Sequence, residues 1–266
     1  MIPLTGKVAV ISGASAGIGA ALARQCAAAG MAVVCCARRR ERLDALARDI
    51  ESAGGRAHPV TADVTVPADM TRLVDEANRT FGRIDAVVCN AGIGFYGPLE
   101  QTPVDVMRRI LDVNYMGTFH LAQAALPFIR QQGAGHLLIV SSIVGRRAIP
   151  AAVAYSASKF AQVGLAESLR AELVGTGVHV TLVCPVSTAT EFREAARRNF
   201  GIAYEGVGPS QTADQVAAAM LRALRRPRAE VHPYPPSRAL VVLATLAPGL
   251  ADRVVQRFER GRRPTT

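Results

Sequence analysis

A glycine-punctuated turn near the amino terminus constrains this chain more than any other feature. Lys7-Val8-Ala9-Val10-Ile11-Ser12 is an apolar run of strand length. Gly13-Ala14-Ser15-Ala16-Gly17-Ile18-Gly19 follows, and then an alanine-rich stretch of helical composition reaching Ala29. Glycines between a first strand and a first helix let the backbone turn sharply and approach a ligand closely. The free N–H groups at the helix start then face an anion, such as a pyrophosphate. The spacing is Gly-x-x-x-Gly-x-Gly, not the common Gly-x-Gly-x-x-Gly fingerprint. The argument therefore rests on the strand–turn–helix setting.

Apolar runs recur at Ile84–Cys89, His136–Ser142 and His179–Cys184, with helical stretches between them. That alternation implies right-handed β-α-β crossovers. A parallel sheet of about seven strands with helices on both faces, the doubly wound α/β Rossmann fold, follows from it. The chain has 266 residues, half of them hydrophobic, and no Pro/Gly-rich linker or internal repeat. One large domain over 1–234 is expected, with a helical carboxyl-terminal extension over 235–266.

Tyr155-Ser156-Ala157-Ser158-Lys159 carries the chemistry. On a helix, positions i and i+4 share a face, so the Tyr155 phenol and the Lys159 ammonium meet. Only two lysines occur in the chain, Lys7 and Lys159. A phenol titrates near 10, and a neighbouring cation favours its ionised form. Such a pair can trade a proton with an alcohol or a carbonyl oxygen. Upstream, the run His136–Ser142 ends in two hydroxyls. Ser142 there either holds a substrate oxygen beside Tyr155 or serves as a turn residue before Gly145.

The Ser12–Gly19 turn, Asp63-Val64, Asn90-Ala91-Gly92, Asn114, Ser142, Tyr155 with Lys159, and Pro185 with Thr190 occur in that order. The series resembles the short-chain dehydrogenase/reductase family, in its short single-domain branch, from about Lys7 to Tyr234. The resemblance implies that Tyr155 is the proton donor or acceptor and that Ser142 hydrogen-bonds the substrate oxygen. Lys159 would hold the nicotinamide ribose and depress the tyrosine pKa. Asn114, in a helix beginning near Pro103, would anchor a water that relays protons to the lysine. Gly13, Ser15, Gly17, Ile18 and Gly19 would form the pyrophosphate turn, and Asp63 would meet the adenine with the Val64 backbone beside it. Asn90, Ala91 and Gly92 would line the cofactor cleft. The loop after the sixth strand would reach the carboxamide through Pro185, the Thr188 backbone and Thr190. Relatives usually carry Pro-Gly where this chain has Pro185-Val186. Valine tolerates positive φ poorly, so a somewhat different loop path is expected.

Charge addresses which nicotinamide is bound. Ala32-Val33-Val34-Cys35-Cys36 leads into Ala37-Arg38-Arg39-Arg40. An NAD-preferring member would place an acid at or near Ala37, whereas here an arginine follows at once. A guanidinium fork suits a 2′-phosphate. Arg38 is assigned to that phosphate and NADP(H) is the expected cofactor, with Arg40 and Arg42 read as the solvated start of the next helix. Ala16 stands where many NADP-preferring relatives carry a second basic residue.

The five cysteines, Cys26, Cys35, Cys36, Cys89 and Cys184, include no Cys-x-x-Cys pair. Buried thiols in a reducing compartment are expected, with no disulfide and no metal site. The first strand begins within ten residues of the start, leaving no room for a signal peptide, so the cytoplasm is the expected location. A net charge of +10 invites a nucleic-acid reading. The clusters Arg38–Arg42, Arg222–Arg228 and Arg253–Arg263 lack interleaved aromatics, and no nucleic-acid partner is expected.

Beyond Pro233-Tyr234-Pro235-Pro236, the apolar run Ala239–Leu246 is shorter than the roughly 20 residues that span a bilayer. With Leu250–Arg263, where Val254, Val255 and Phe258 oppose Arg253, Arg257 and Arg260, it has three possible placements. It packs over the substrate cleft, against a second subunit, or peripherally on an anionic membrane surface. Pocket candidates are Ile93, Phe95 and Tyr96, then Ile143, Val144 and Ile149, then Phe192, Phe200 and Tyr204. Such a lining suits an apolar or lipid-like substrate, while Arg193 and Arg197 share a helical face that could greet an acidic group. The expected activity is an NADP(H)-dependent oxidoreductase interconverting a secondary alcohol and a ketone, or reducing an aldehyde. Two alternatives stay open: a 3-oxoacyl-thioester reductase of lipid synthesis, and a non-catalytic nucleotide-sensing binding protein. The resemblance also implies a homodimer or homotetramer built on the helices around Asn114 and Tyr155.

Overall fold

The computed structural model describes residues 1–200 and 209–260, with backbone alone at 199, 254 and 256–260. Tyr204, one of the pocket candidates, lies outside the described residues, as do the side chains of Val254, Arg257, Phe258 and Arg260.

Strand β1 (Val8–Ser12) and helix α1 (Gly17–Ala28) flank the glycine-rich turn. They are followed by β2 (Ala32–Ala37), α2 (Arg40–Ser52), β3 (Arg56–Thr61), α3 (Pro67–Phe81) and β4 (Ala86–Cys89). Next come α4 (Val104–Leu111), a π-helical turn (Asp112–Met116) and α5 (Gly117–Gln131). The chain continues with β5 (Gly135–Val140), α6 (Val153–Glu172) and β6 (Val178–Val183). Beyond it lie β7 (Ser187–Ala189), α7 (Phe192–Phe200), β8 (Ser210–Thr212), α8 (Ala213–Arg225), β9 (Glu230–Val231), α9 (Ser237–Leu246) and α10 (Pro248–Arg260).

Seven strands form one parallel sheet in the order β3-β2-β1-β4-β5-β6-β9. The order reverses between β1 and β4, which opens a crevice at the carboxyl ends of both strands. Buried β-branched and small residues of β1, β2, β4 and β5 point alternately into two cores. Met70, Leu73, Leu121 and Ile129 cover one face, and Leu22, Leu43, Val216 and Met220 cover the other. A sheet sandwiched this way reads in sequence as continuous apolar runs. The runs Lys7–Ser12, Ile84–Cys89 and His136–Ser142 are each slightly longer than β1, β4 and β5, and Ser141 and Ser142 fall just past β5.

All five cysteines are buried free thiols. Burial pushes Cys26, Cys35, Cys36 and Cys89 up to about 12, which leaves them protonated and inert. Among the described residues no helix is long and apolar enough to cross a membrane.

Candidate active site

A cavity of about 930 Å³ runs along the carboxyl ends of β1, β4, β5 and β6. From the glycine-rich turn it takes Gly13, Ser15, Gly17 and Ile18, from beyond β2 and β3 Arg38, Asp63 and Val64, and from beyond β4 Asn90, Ala91 and Gly92. Ser142, Tyr155, Lys159, Pro185, Thr188 and Thr190 complete the wall. Two predicted site residues lie behind it: Gly19 and Asn114, both buried.

The turn is shaped to accept a phosphate. Gly17 holds φ 56°, and a Cβ there would meet the Thr190 methyl at 3.0 Å. At Gly13 (φ 67°) a Cβ would come within 2.8 Å of the Ala91 backbone. Ala16, the N-cap of α1, offers no side-chain cap, and no acid occupies the first turn. The first N–H groups of α1 are thus left for an external anion, so the cradle fits a dinucleotide pyrophosphate. Asn90 braces the turn by donating from Nδ2 to the carbonyls of Ser12 (3.0 Å) and Gly13 (3.3 Å).

Beyond the turn the cavity becomes apolar. Tyr96, Val144 and Tyr155 pack together with Ile143, Ile149 and Phe192, and the Tyr155 ring lies 5.8 Å from Tyr96 and 5.6 Å from Phe192. Tyr234, Ser237 and Leu240 at the α9 end and Val255 of α10 also line it. Phe95 and Phe200 stack edge-on at 5.5 Å in a separate buried cluster with Ile110 and Ala154. That pair is core packing.

A family model described as short chain dehydrogenase matches residues 7–200. The chain belongs to the short-chain dehydrogenase/reductase family. It is 33% identical over 262 residues to the mouse (Mus musculus) protein "Dehydrogenase/reductase SDR family member 7B", covering 95% of this chain and 81% of that one. A short-chain dehydrogenase/reductase from Burkholderia phymatum, solved with NAD, superposes with a TM-score of 0.85 at 28% identity over 100% of this chain and 99% of that one. An alcohol dehydrogenase from Thermococcus sibiricus, solved with 5-hydroxy-NADP, gives 0.76 at 28% identity, over 85% and 95% of the two chains.

As in any short-chain dehydrogenase/reductase, interest centres on how the tyrosine and lysine are held. Helix α6 starts at Val153 and carries both on its inward face. Ser142 shares a hydrogen bond with the Tyr155 phenol, and its Oγ also accepts from Val144 N (3.3 Å) and reaches Pro185 O (3.4 Å). Sequence reasoning expects Lys159 to draw the phenol pKa down. In the protein alone the balance is reversed. Burial pushes Tyr155 up to about 12 against the pull of Ser142, and burial draws Lys159 down to about 7. Two desolvated groups each favour the neutral form. Moreover, the Lys159 ammonium donates to Val140 O (3.0 Å) and Gln162 Oε1 (2.9 Å) and sits 5.6 Å from the tyrosine ring centre.

Asn114 occupies the π-helical turn between α4 and α5, a local widening that often marks functional positions. Its side chain is fully engaged. Oδ1 accepts from Ile93 N (2.8 Å), and Nδ2 donates to Ile93 O (2.9 Å) and Ser158 Oγ (2.9 Å). Its backbone carbonyl accepts from Thr118 Oγ1 and Gln162 Nε2, both at 2.8 Å. Gln162 also bridges Asn114 and Lys159, its Oε1 accepting from Lys159 (2.9 Å) while its Nε2 donates to the Asn114 carbonyl.

Beyond the ends of β2 and β3, Arg38 lies 3.7 Å from Asp63, whose Oδ1 accepts from Thr65 N and Oγ1. Arg39, to which the sequence assigned no role, lines the cleft as well. Its guanidinium donates to Ser15 Oγ (3.0 and 3.2 Å) and pairs with Glu191 (2.9 Å). Arg40 pairs with Asp44 along its own helix, as a solvated face does, but Arg42 turns back to Glu191 (3.3 Å). Val186 needs no glycine-like backbone, because among the described residues Ala151 (φ 51°) is the one non-glycine with positive φ.

Proposed function

We propose that this chain is an NADP(H)-dependent oxidoreductase that interconverts a secondary alcohol and a ketone, or reduces an aldehyde, on an apolar or lipid-like substrate. The observation that carries the reading is the Tyr155–Ser142 hydrogen bond placed where the nucleotide cleft meets the apolar pocket. A bound nicotinamide supplies or takes the hydride. Ser142 orients the substrate oxygen, Tyr155 gives it or takes from it a proton, and Lys159 lies within reach of a ribose across the cleft. A phenol kept neutral by burial is a proton donor, which supports carbonyl reduction at neutral pH.

Arg38 and Arg39, with no acid at Ala37, support NADP(H) over NAD(H). Fluorescence titration with NADPH and NADH, on the wild type and on Arg38→Ala and Arg39→Ala, tests this. Tighter NADPH binding is expected, falling about tenfold or more in each variant, as loss of one charge-assisted phosphate contact predicts. Equal or tighter NADH binding would overturn the cofactor assignment and leave the fold standing.

Arg147 and Arg193 also line the cavity, which favours keeping a 3-oxoacyl thioester with an acidic carrier as a second substrate class. Assaying such a thioester beside simple apolar ketones separates the two. The packing of α9 and α10 on the cavity supports a cover for the substrate end, and exposed Val153 and Phe160 on α6 support a homo-oligomer.

A further inference from the structure

Gln162 lies one turn beyond Lys159 on α6, fully buried, in a position no motif marked. Its Nε2 donates to Asn114 O (2.8 Å) and to Thr118 Oγ1 (2.7 Å). Thr118 Oγ1 spends its own proton on Asn114 O (2.8 Å) and so can only accept from the amide. Both amide N–H groups are thereby committed to acceptors, and Oε1 is compelled to face the Lys159 ammonium (2.9 Å). The orientation of the amide is fixed by the network.

We propose that Gln162 is a positioning residue of this active site. It holds the Lys159 ammonium against the π-helical turn of Asn114. The idea rests on the reading of Tyr155 and Lys159 as the reacting pair only for its consequence; the geometry itself is independent of any substrate. An amide passes on a hydrogen bond without passing on a proton. The link from Lys159 through Gln162 to Asn114 is thus a strut. An oxygen acceptor also favours the charged lysine, opposing burial. The titratable groups facing Lys159 are the Tyr155 phenol on its own helix and the Cys184 thiol just past β6. Neither supplies a compensating negative charge at neutral pH.

The chain's two lysines make a direct test practical. In Lys7→Arg protein labelled with carbon-13 lysine, the sole lysine signal is Lys159, and its titration is followed by NMR without cofactor or substrate. Gln162→Met keeps the volume and removes the acceptor, and should lower the Lys159 midpoint by about one pH unit, the worth of one charge-assisted bond. Gln162→Glu keeps an acceptor and should not lower it. If Gln162→Met fails to fold, Thr118→Val, which frees one amide N–H, should shift the midpoint in the same direction. An unchanged midpoint in the methionine variant, or an equal fall in Met and Glu variants, would overturn the proposal. Because the readout needs no turnover, an enzyme without the proposed activity would leave this test intact.

Discussion

Individual side chains in this protein are governed by the cost of taking charge out of water. His136 illustrates it away from the active site. Its Nε2 lies 2.7 Å from Thr181 Oγ1, whose own proton goes to Arg228 O (2.6 Å). The imidazole must therefore carry its proton on Nε2, and Nδ1 is left buried without a partner. Burial, assisted by His179, pulls its pKa from 6.5 to about 3. A base whose folded pKa is depressed stabilises the fold above its unfolded pKa. That contribution is lost as pH falls from 6.5 toward about 3. The unfolding free energy from urea titrations across this window should fall with a slope approaching about 1.4 kcal/mol per pH unit from this residue. His136→Met should flatten that part of the slope, and an unaltered slope would contradict the account. The same physics keeps Tyr155 neutral and Lys159 near its titration point, which no reading of charge spacing along the sequence could supply. Proximity was legible from i, i+4 spacing; desolvation depends on what the rest of the chain packs around the pair.

At the level of elements, the strand–turn–helix unit at the start does the most to place the site. Gly19 shows why its spacing matters: a Cβ there would lie 2.5 Å from Gly13 O and 2.7 Å from Asn90 Nδ2. The third glycine lets α1 close on the turn and has no direct contact with the cleft. Gly19→Ala should therefore destabilise the fold by about 1–3 kcal/mol, as overpacking does, and weaken cofactor binding as a secondary effect. A thermal melt and a nucleotide titration on the variant check both. Native stability in Gly19→Ala would show that the turn tolerates a Cβ after all. The main strands were legible because each is a buried apolar run bounded by polar or glycine residues. The π-helical turn at Asn114 and the short strands β7, β8 and β9 were not, since segments of two to five residues carry no periodicity. Gln162 was missed for a related reason. Its only local signal was a polar side chain between Ala161 and Val163, one turn beyond Lys159 on a buried face that already carries Ser158 and Lys159. Its partners come from a segment more than forty residues away.

For the molecule as a whole, the sheet order sets a single crevice and the remaining surface sets assembly. Phe160 is 45% exposed and Val153 39%, one or two turns apart on the face of α6 turned from the sheet. Large apolar groups on one helix face are a common mark of a subunit contact. Phe160→Glu should convert an oligomer into smaller species in sedimentation velocity, with the fold intact by circular dichroism. A wild type that sediments as a monomer would contradict that reading.

The central claim is that Tyr155 moves the proton in a nicotinamide-linked reaction, and one variant addresses it most directly. Tyr155→Phe keeps the ring packed between Tyr96 and Phe192 and removes only the hydroxyl. NADPH oxidation would be followed with a panel of apolar ketones and aldehydes for wild type and variant, alongside NADPH affinity by fluorescence. The account predicts a loss of about 10²–10⁴-fold in turnover, the typical worth of a general acid, with NADPH affinity preserved. Turnover equal to wild type in the variant would contradict it.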